Sequence, residues 1–396
     1  MKQSVFKKLF CFLLLLVLVC GHTFAEDKQS IFQQKMEKAF RDYKAVGGSF
    51  VVYYKGERLV HYDYGFADKR NGLRVSENTK FKIASITKMV SAVGFMQLVE
   101  KGLVDLDQDI SDILGYSVRN PYYKNTVITP RMLLCHTSSL QDSARSAHKR
   151  GSVSQMIGPN RVNDNAFAQS KPGTRYNYTN FGFGLIGTIL EKVTGQTLQD
   201  YMAENVFLPL DIDAGYSFAE LRDKEIAARY YNGNEVESVK SLQNQALNDE
   251  VDWENNYNVS VGKLLISAED LSKILQVLCG NGYYKGKTIL SRQSVEEMRK
   301  IPGVKQFITA NTPYAIGIEK KTGIIENIAL YGHQGLYYSA YCDAFYDPDN
   351  LVTMVLLTNG VNIVRIDGTN ALARQLFMLC YKYLIEVPQD QFLVND

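Results

Sequence analysis

The chain has 396 residues, of which 45% are hydrophobic and 22% charged, with a formal net charge of +2. This is ordinary globular composition, enough for one large domain or two ordinary ones. So even a charge balance gives no electrostatic case for a nucleic-acid partner.

The N-terminus is set apart from the rest. Lys2, Lys7 and Lys8 precede the apolar run Leu9 to Cys20, and Thr23-Phe24-Ala25 offers a small-x-small cleavage site. This is the pattern of a secretory signal peptide. The run is short for a transmembrane span, which needs ~20 residues. Cleavage near Ala25 would deliver a secreted or cell-envelope protein, and an uncleaved segment would anchor it instead. No later stretch could span a membrane, so no transmembrane segment is expected in the mature chain.

Ile31–Val46 carries apolar residues at helical intervals, with Gly47 and Gly48 placed to end the helix. "SFVVYY" and "RLVHYDYGFA" are strand-like, joined by a hairpin turn at Lys55-Gly56-Glu57. From Ser85 the pattern becomes helical, with Ile86, Met89, Val90, Val93, Met96 and Val99 mainly on one side and Gly102 as a stop. "TPRMLLCHTSSL" opens with Thr129-Pro130, which suits a helix start. Gln141 to Ser170 is polar and irregular, a long surface excursion. Tyr178–Gly195 reads as a helix with Asn180 as N-cap and Gly195 as its stop. Ser267 with Asp270 marks another helix start.

After Thr312, "YAIGIEK", "IALYGHQG", "YYSAYCDAFYD" and "LVTMVLLTNG" are four candidate strands, and "GTNALARQLFMLCYKYLIE" is a closing helix. Strands at both ends and helices between predict an α/β protein of the α+β type. One antiparallel sheet, made from both ends of the chain and flanked by terminal helices, would carry an inserted helical subdomain. The expected division is a signal over 1–25 and one domain over 26–396. Its sheet region covers about 26–80 and 255–390, and its helical region about 81–254.

Cys135, Cys279, Cys342 and Cys380 remain after the leader, widely scattered and without a C-x-x-C. Neither a zinc site nor a disulfide scaffold is indicated, and buried thiols are expected. Asp105, Asp107 and Asp109 imitate a calcium loop, but Ile110 and Tyr116 occupy its glycine and glutamate positions. The histidines show no metal-ligand spacing, so neither a metal nor a cofactor is expected.

Ser-x-x-Lys occurs at Ser4/Lys7, Ser85/Lys88, Ser146/Lys149 and Ser260/Lys263. Only Ser85 opens a long helix with apolar periodicity. Residues three apart share a helix face, so Lys88 lies beside the Ser85 hydroxyl. Unpaired first-turn N–H groups and the positive dipole end favour developing negative charge there. Lysine is a base only when its environment lowers its proton affinity, as burial does. A helix-capping serine beside a solvated lysine is the competing structural explanation.

The segment "FKIASITKMVSAVGFMQLVEKGLVDLDQDISDIL" resembles the nucleophile segment of the serine β-lactamase-related family. That family includes class C β-lactamases, D-alanyl-D-alanine carboxypeptidases and related esterases and aminopeptidases. The resemblance runs through nearly the whole mature chain. "ITPRMLLCHTSSL" is similar to the family's "LLTHTSGL" segment, with His136 as the matching histidine. Tyr178-Thr179-Asn180 matches Tyr-x-Asn, and His333-Gln334-Gly335 stands where relatives carry Lys-Thr-Gly or His-x-Gly. Lys321-Thr322-Gly323 spells the third motif literally, but its context reads as the turn between two strands.

The resemblance implies a β-lactamase/transpeptidase-like fold and acyl transfer through a covalent serine ester. Ser85 would attack, and Lys88 and Tyr178 would handle its proton. Asn180 would orient Lys88 and bind the substrate amide. His333, Gln334, Gly335 and Leu336 would bind substrate along the third-motif strand, with the Ser85 and Leu336 N–H groups as oxyanion donors. Gln334 replaces the usual threonine, and Leu336-Tyr337-Tyr338 replaces small residues. Both departures favour a peptidase or esterase, acting on a small-molecule, peptide or cell-wall-derived substrate, over an efficient β-lactamase. A slowly deacylating or non-catalytic penicillin- or muropeptide-binding sensor of the same fold is the alternative.

Overall fold

The structure, a computed structural model, describes residues 28–142, 151–245, 247, 250–304 and 313–385. The expected leader over 1–25 and the tetrads at Ser4 and Ser146 lie outside the described residues.

A helix over 28–42 (α1) leads into a hairpin of β1 (Gly47–Tyr54) and β2 (Glu57–Asp68). Its turn places Lys55 at φ 52° and Gly56 at 84°, the backbone sense that matches the twist of paired strands. Gly47 and Gly48 are strand residues and not a helix stop, because a Cβ at Gly47 would meet the Phe66 carbonyl at 2.2 Å. After the short β3 (Leu73–Arg74) and β4 (Phe81–Lys82) comes α2 (Ile86–Glu100).

The middle of the chain contributes α3 (Pro130–Leu134), α4 (Asn180–Thr194), the small hairpin β5 (Arg229–Tyr231) and β6 (Asn234–Glu237), then α5 (Val259–Gly262) and α6 (Ala268–Cys279). The stretch expected to be irregular contains a helix over Val153–Ile157, started by a capping box between Ser152 and Gln155. The chain then returns through β7 (Glu319–Ile325), β8 (Ile328–Tyr337), β9 (Ala340–Asp347) and β10 (Val352–Thr358), and closes with α7 (Ala371–Tyr383).

These strands form one seven-stranded sheet in the order β7-β8-β9-β10-β1-β2-β3. All of its pairs are antiparallel. Sheet and terminal helices match the expectation. Alternation along the strands builds two cores. Phe50 and Val52 of β1 and Met354 and Leu356 of β10 pack with Phe32 and Phe40 of α1 and Phe377 of α7. Val51, Val355 and Leu357 face the other way, toward α2, α4 and α6.

Helix α2 departs from the expected one-sided stripe. Every residue from Ile86 to Leu98 is buried, because the helix runs between the sheet and the helical region and has no solvent face. Its polar residues are bonded. Thr87 Oγ1 accepts from the Leu264 N–H at 3.3 Å, and Ser91 Oγ donates to the Ser260 carbonyl at 3.2 Å. Lys321-Thr322-Gly323 lies within β7 rather than in a turn, and the hairpin turn falls at Glu326 and Asn327, with Asn327 at φ 58°. The four cysteines are free and buried, as expected.

Asp343 on β9 is fully buried and accepts from Asn370 Nδ2 at 3.0 Å and Gln334 Nε2 at 3.2 Å. Burial pushes its carboxyl up to about 7. The folded state therefore holds this proton more tightly than the unfolded chain. The resulting stability is fully present below about pH 4 and is lost as pH rises through about 7. Asp343→Asn removes the titrating group and keeps the shape. In melting curves taken at pH 5 and pH 8, the variant should gain on the parent between pH 5 and pH 8, standing higher relative to it at pH 8 than at pH 5. The gain should be roughly 2–4 °C per kcal/mol of relieved charge burial. Parallel pH profiles would show that Asp343 stays in one protonation state.

Candidate active site

Ser85 owes its position to a strained turn. Ala84 adopts φ 48°, a left-handed conformation costly for a residue with a Cβ. The turn is held on both sides: the Ile83 N–H donates to the Leu264 carbonyl at 3.1 Å, and the Thr87 N–H donates to Ala84 at 3.0 Å. Ser85 then occupies the N-cap of α2, but its side chain makes no capping bond. The competing explanation, a capping serine, fails on that point. The hydroxyl instead faces Lys88, whose Nζ lies 3.1 Å away.

Lys88 is wholly buried. Besides Ser85, its Nζ bonds the Asn180 Oδ1 at 2.9 Å and the Val261 carbonyl at 3.0 Å. It also lies 5.0 Å from the centre of the Tyr178 ring. The Val261 carbonyl arrives on α5, which packs closely on α4: a Cβ at Gly184 would meet the Tyr257 carbonyl at 2.3 Å.

Asn180 was expected to cap α4. The cap is Thr179, whose side chain accepts from the Gly182 N–H, so Asn180 is the first helical residue and its amide is available to Lys88. Its orientation is set by Asp142, a residue that sequence reasoning missed. Asn180 Nδ2 donates to Asp142 Oδ2 at 3.1 Å, while Thr179 Oγ1 and the Phe181 N–H donate to Asp142 Oδ1 at 2.9 and 2.8 Å. A carboxylate accepts only, so it fixes which end of the amide points at Lys88. Asp142 sits two residues beyond the "HTSSL" stretch with nothing in its spacing to mark it.

Tyr178 closes the other side of Ser85. Although 37% of it remains exposed, enough protein surrounds its hydroxyl that burial raises its proton affinity well above the ordinary phenol value. A hydrogen bond with Ser85 opposes that shift. Tyr178 is therefore a neutral phenol at rest.

His136 lies two residues past the end of α3, at φ 56°, and not within a helix as expected. Its Nδ1 accepts from the Thr179 N–H at 3.3 Å, and its ring lies 4.2 Å from that of Tyr178. Burial, then the Lys88 charge, hold it well below the usual imidazole range. It is a neutral backstop to Tyr178.

The third-motif strand β8 reaches the site because β7 pairs with it only as far as Gly332. Beyond that point the β8 edge is open toward Ser85. A Cβ at Gly335 would meet the Ile83 carbonyl at 2.1 Å, so only glycine lets the strand lie against the turn that carries Ser85. His333 is buried, with Nε2 2.8 Å from the Tyr314 hydroxyl and its ring 6.4 Å from that of Tyr178. Burial lowers its proton affinity to about 4, and it stands behind Tyr178 rather than open to a substrate. Gln334 corrects the expectation of a substrate-facing side chain. Its amide bonds Asp343 on the α7 side of the sheet, as strand alternation requires. Leu336 lines a cleft of about 360 Å³ beside Ser85 and Asn180.

The remaining decoys are occupied otherwise. Ser260 Oγ is buried against the Gly184 carbonyl. Asp107 and Asp109 pair with Arg131 and Arg119. Among the described residues, His61, Glu77 and Glu269 come within metal-binding distance of one another. Arg58 Nη1 already lies between them, 2.8 Å from Glu77 and 3.3 Å from Glu269.

A family model described as Beta-lactamase matches residues 29–377. Protein flp of Staphylococcus aureus (strain MRSA252) is 29% identical over 170 residues, 41% of this chain and 33% of that protein. The chain thus spans about a third of the length of such curated relatives. Among solved structures, the octameric penicillin-binding protein homologue from Pyrococcus abyssi superposes with a TM-score of 0.69 at 21% identity, over 89% of this chain and 77% of that one. D-amino acid amidase from Ochrobactrum anthropi, complexed with L-phenylalanine amide, gives 0.68 at 22% identity, over 90% and 99%. At these identities the structural likeness is one of fold.

Asp142→Asn tests the amide lock. Its new NH2 would face Asn180 Nδ2, donor against donor, and favour the flipped amide. Losing a charged hydrogen bond of ~1.5–3 kcal/mol should slow modification of Ser85 by a fluorophosphonate about 10–100-fold while the fold is kept. An unchanged labelling rate with an unchanged melting temperature would remove Asp142 from the machinery.

Proposed function

The chain belongs to the β-lactamase family of serine hydrolases and acyl transferases, and on that footing we propose that it cleaves a peptide, amide or ester through an acyl-enzyme on Ser85. The observation that carries this reading is the bonding around Lys88 Nζ. Two of its partners, the Asn180 and Val261 carbonyl oxygens, can only accept. A neutral amine has two N–H bonds and one lone pair. With both N–H groups taken by those carbonyls, the lone pair is left for the third direction, toward the Ser85 hydroxyl 3.1 Å away. The same geometry serves the ammonium form, which donates to Ser85 Oγ. One proton can therefore move between Oγ and Nζ without any heavy atom relocating.

In this mechanism Ser85 Oγ forms a bond to the substrate carbonyl carbon and its proton passes to Lys88. The carbonyl oxygen takes the charge, facing the Ser85 and Leu336 N–H groups, each worth ~3 kcal/mol in such a role. Tyr178, a neutral phenol within reach of Ser85, relays the proton to the leaving group as the carbonyl–leaving-group bond breaks. Water then repeats the sequence on the ester. Gln334 brings no hydroxyl to the site, and Tyr337 narrows it. These features favour a peptidase, amidase or esterase over an efficient β-lactamase. The basic start and apolar run before Ala25 support export from the cytoplasm.

Intact-mass measurement after treatment with a fluorophosphonate should show one adduct, absent from Ser85→Ala and formed ~10²–10⁴-fold more slowly in Lys88→Met. With penicillin, a persistent adduct would point to a peptidase or sensor and rapid loss to a β-lactamase. No fluorophosphonate adduct on the folded parent would defeat the acyl-transfer reading. Because burial keeps both His136 and His333 neutral through the physiological range, kcat/KM should show no inflection near pH 6.5. Such an inflection, if lost in His136→Gln or His333→Gln, would mean that a histidine takes part in the proton transfer.

A further inference from the structure

The cleft beside Ser85 carries a feature that acyl transfer by itself does not require. Its lining includes Ser85, Asn180 and Leu336 and also Lys82, Arg229 and Tyr337, but neither Tyr178 nor His333. If Tyr178 protonates the leaving group, the leaving group lies on the Tyr178 side of Ser85. The acyl portion then points the opposite way, into this cleft. Its direction rests on the acyl-transfer reading above.

The chemistry of its wall is cationic and incompletely satisfied. Arg229 is only 3% exposed, yet its Nε has no hydrogen-bond partner among the described residues. One of its terminal nitrogens pairs with Glu237, and its guanidinium carbon lies 4.0 Å from the centre of the Tyr337 ring. That face-on contact orients the planar fork. Lys82, three residues before Ser85, reaches the same carboxylate. Its Nζ is 3.8 Å from Glu237 and 2.8 Å from Gln245 Oε1. Arg229 and Lys82 thus share Glu237, and a buried guanidinium N–H is left over. Two cations sharing one carboxylate leave positive charge in excess at the cleft wall, and a ligand carboxylate would supply the missing negative charge. Burial, followed by repulsion from Arg229 and Lys263, lowers the Lys82 proton affinity to about 8, with Glu237 acting the other way. An added anion would raise it again.

We infer that this cleft is a carboxylate subsite on the acyl side of Ser85, so that the enzyme selects acyl donors whose acyl group itself carries an anionic carboxylate. Arg229, whose side chain lines the cleft, would attract the carboxylate by its charge, and Lys82 would add charge while protonated. Preference for the acidic acyl group should therefore weaken as pH rises through about 8.

The test uses two fluorophosphonates of equal chain length, one ending in a carboxylate and one in the isosteric carboxamide. Their rates of adduct formation on Ser85 are followed by intact mass. At pH 7 and low salt the carboxylate probe should react at least about tenfold faster with the native protein. The ratio should fall toward one in Arg229→Gln, and in Lys82→Gln should lose its decline above pH 8. The native ratio decides the matter even where a variant fails to fold. Full labelling by both probes with a ratio at or below one would overturn this inference alone. Failure of both probes to label Ser85 would overturn the acyl-transfer reading and this inference with it.

Discussion

The site depends on one constraint: a lysine nitrogen buried where two fixed carbonyl oxygens occupy two of its bonding directions. Those oxygens come from chain segments far apart in sequence, Asn180 at the start of α4 and Val261 on α5. Burying an amine is costly unless its polar bonds are made. The fold therefore has to bring α2, α4 and α5 to one point and hold them there. Close approach of α4 to the segment before α5 is what Gly184 permits. Alongside those two bonds, Nζ lies 3.1 Å from the Ser85 hydroxyl.

The sheet supplies the opposing wall. Because β7 stops pairing at Gly332, the last residues of β8 present an open edge, and an open edge is a row of hydrogen-bonding groups available to a ligand. Gly335 lets that edge sit directly on the strained turn at Ala84. The helical layer places Ser85, Lys88 and Asn180, and the sheet layer places Gly335 and Leu336 against them, so the geometry of the site depends on their packing more than on either layer alone. Two neutral histidines, His136 and His333, stand behind Tyr178. Keeping them uncharged avoids placing a second cation against buried Lys88.

Much of the site was legible. The two Ser-x-x-Lys tetrads among the described residues were separable by context, since Ser85 and not Ser260 opens a long apolar helix. The third-motif strand was separable from Lys321-Thr322-Gly323 by its place before the hairpin, although the latter proved to be strand and not turn. The errors have a common form. Helix α2 reads as one-sided because six apolar residues mark a stripe, but burial on every side depends on what surrounds a helix. Asn180 reads as an N-cap because asparagine caps well; Thr179 takes the cap one residue earlier, and that shift frees the amide. Gln334 reads as substrate-facing from motif alignment, while strand alternation turns it to the α7 side.

By itself the sequence determined what local patterns can encode: the order of strands and helices, the sheet made from both ends of the chain, and the pairing of Ser85 with Lys88 one helical turn apart. Those follow from periodicities of two and 3.6 residues and from turn chemistry. Only the tertiary structure decided which carbonyls hold Lys88, that Asp142 locks the Asn180 amide, and that Arg229 and Lys82 converge on one carboxylate beside Ser85. Such contacts join residues tens to nearly two hundred positions apart. No local preference specifies them, because each exists only once the layers have packed and water has been excluded from between them.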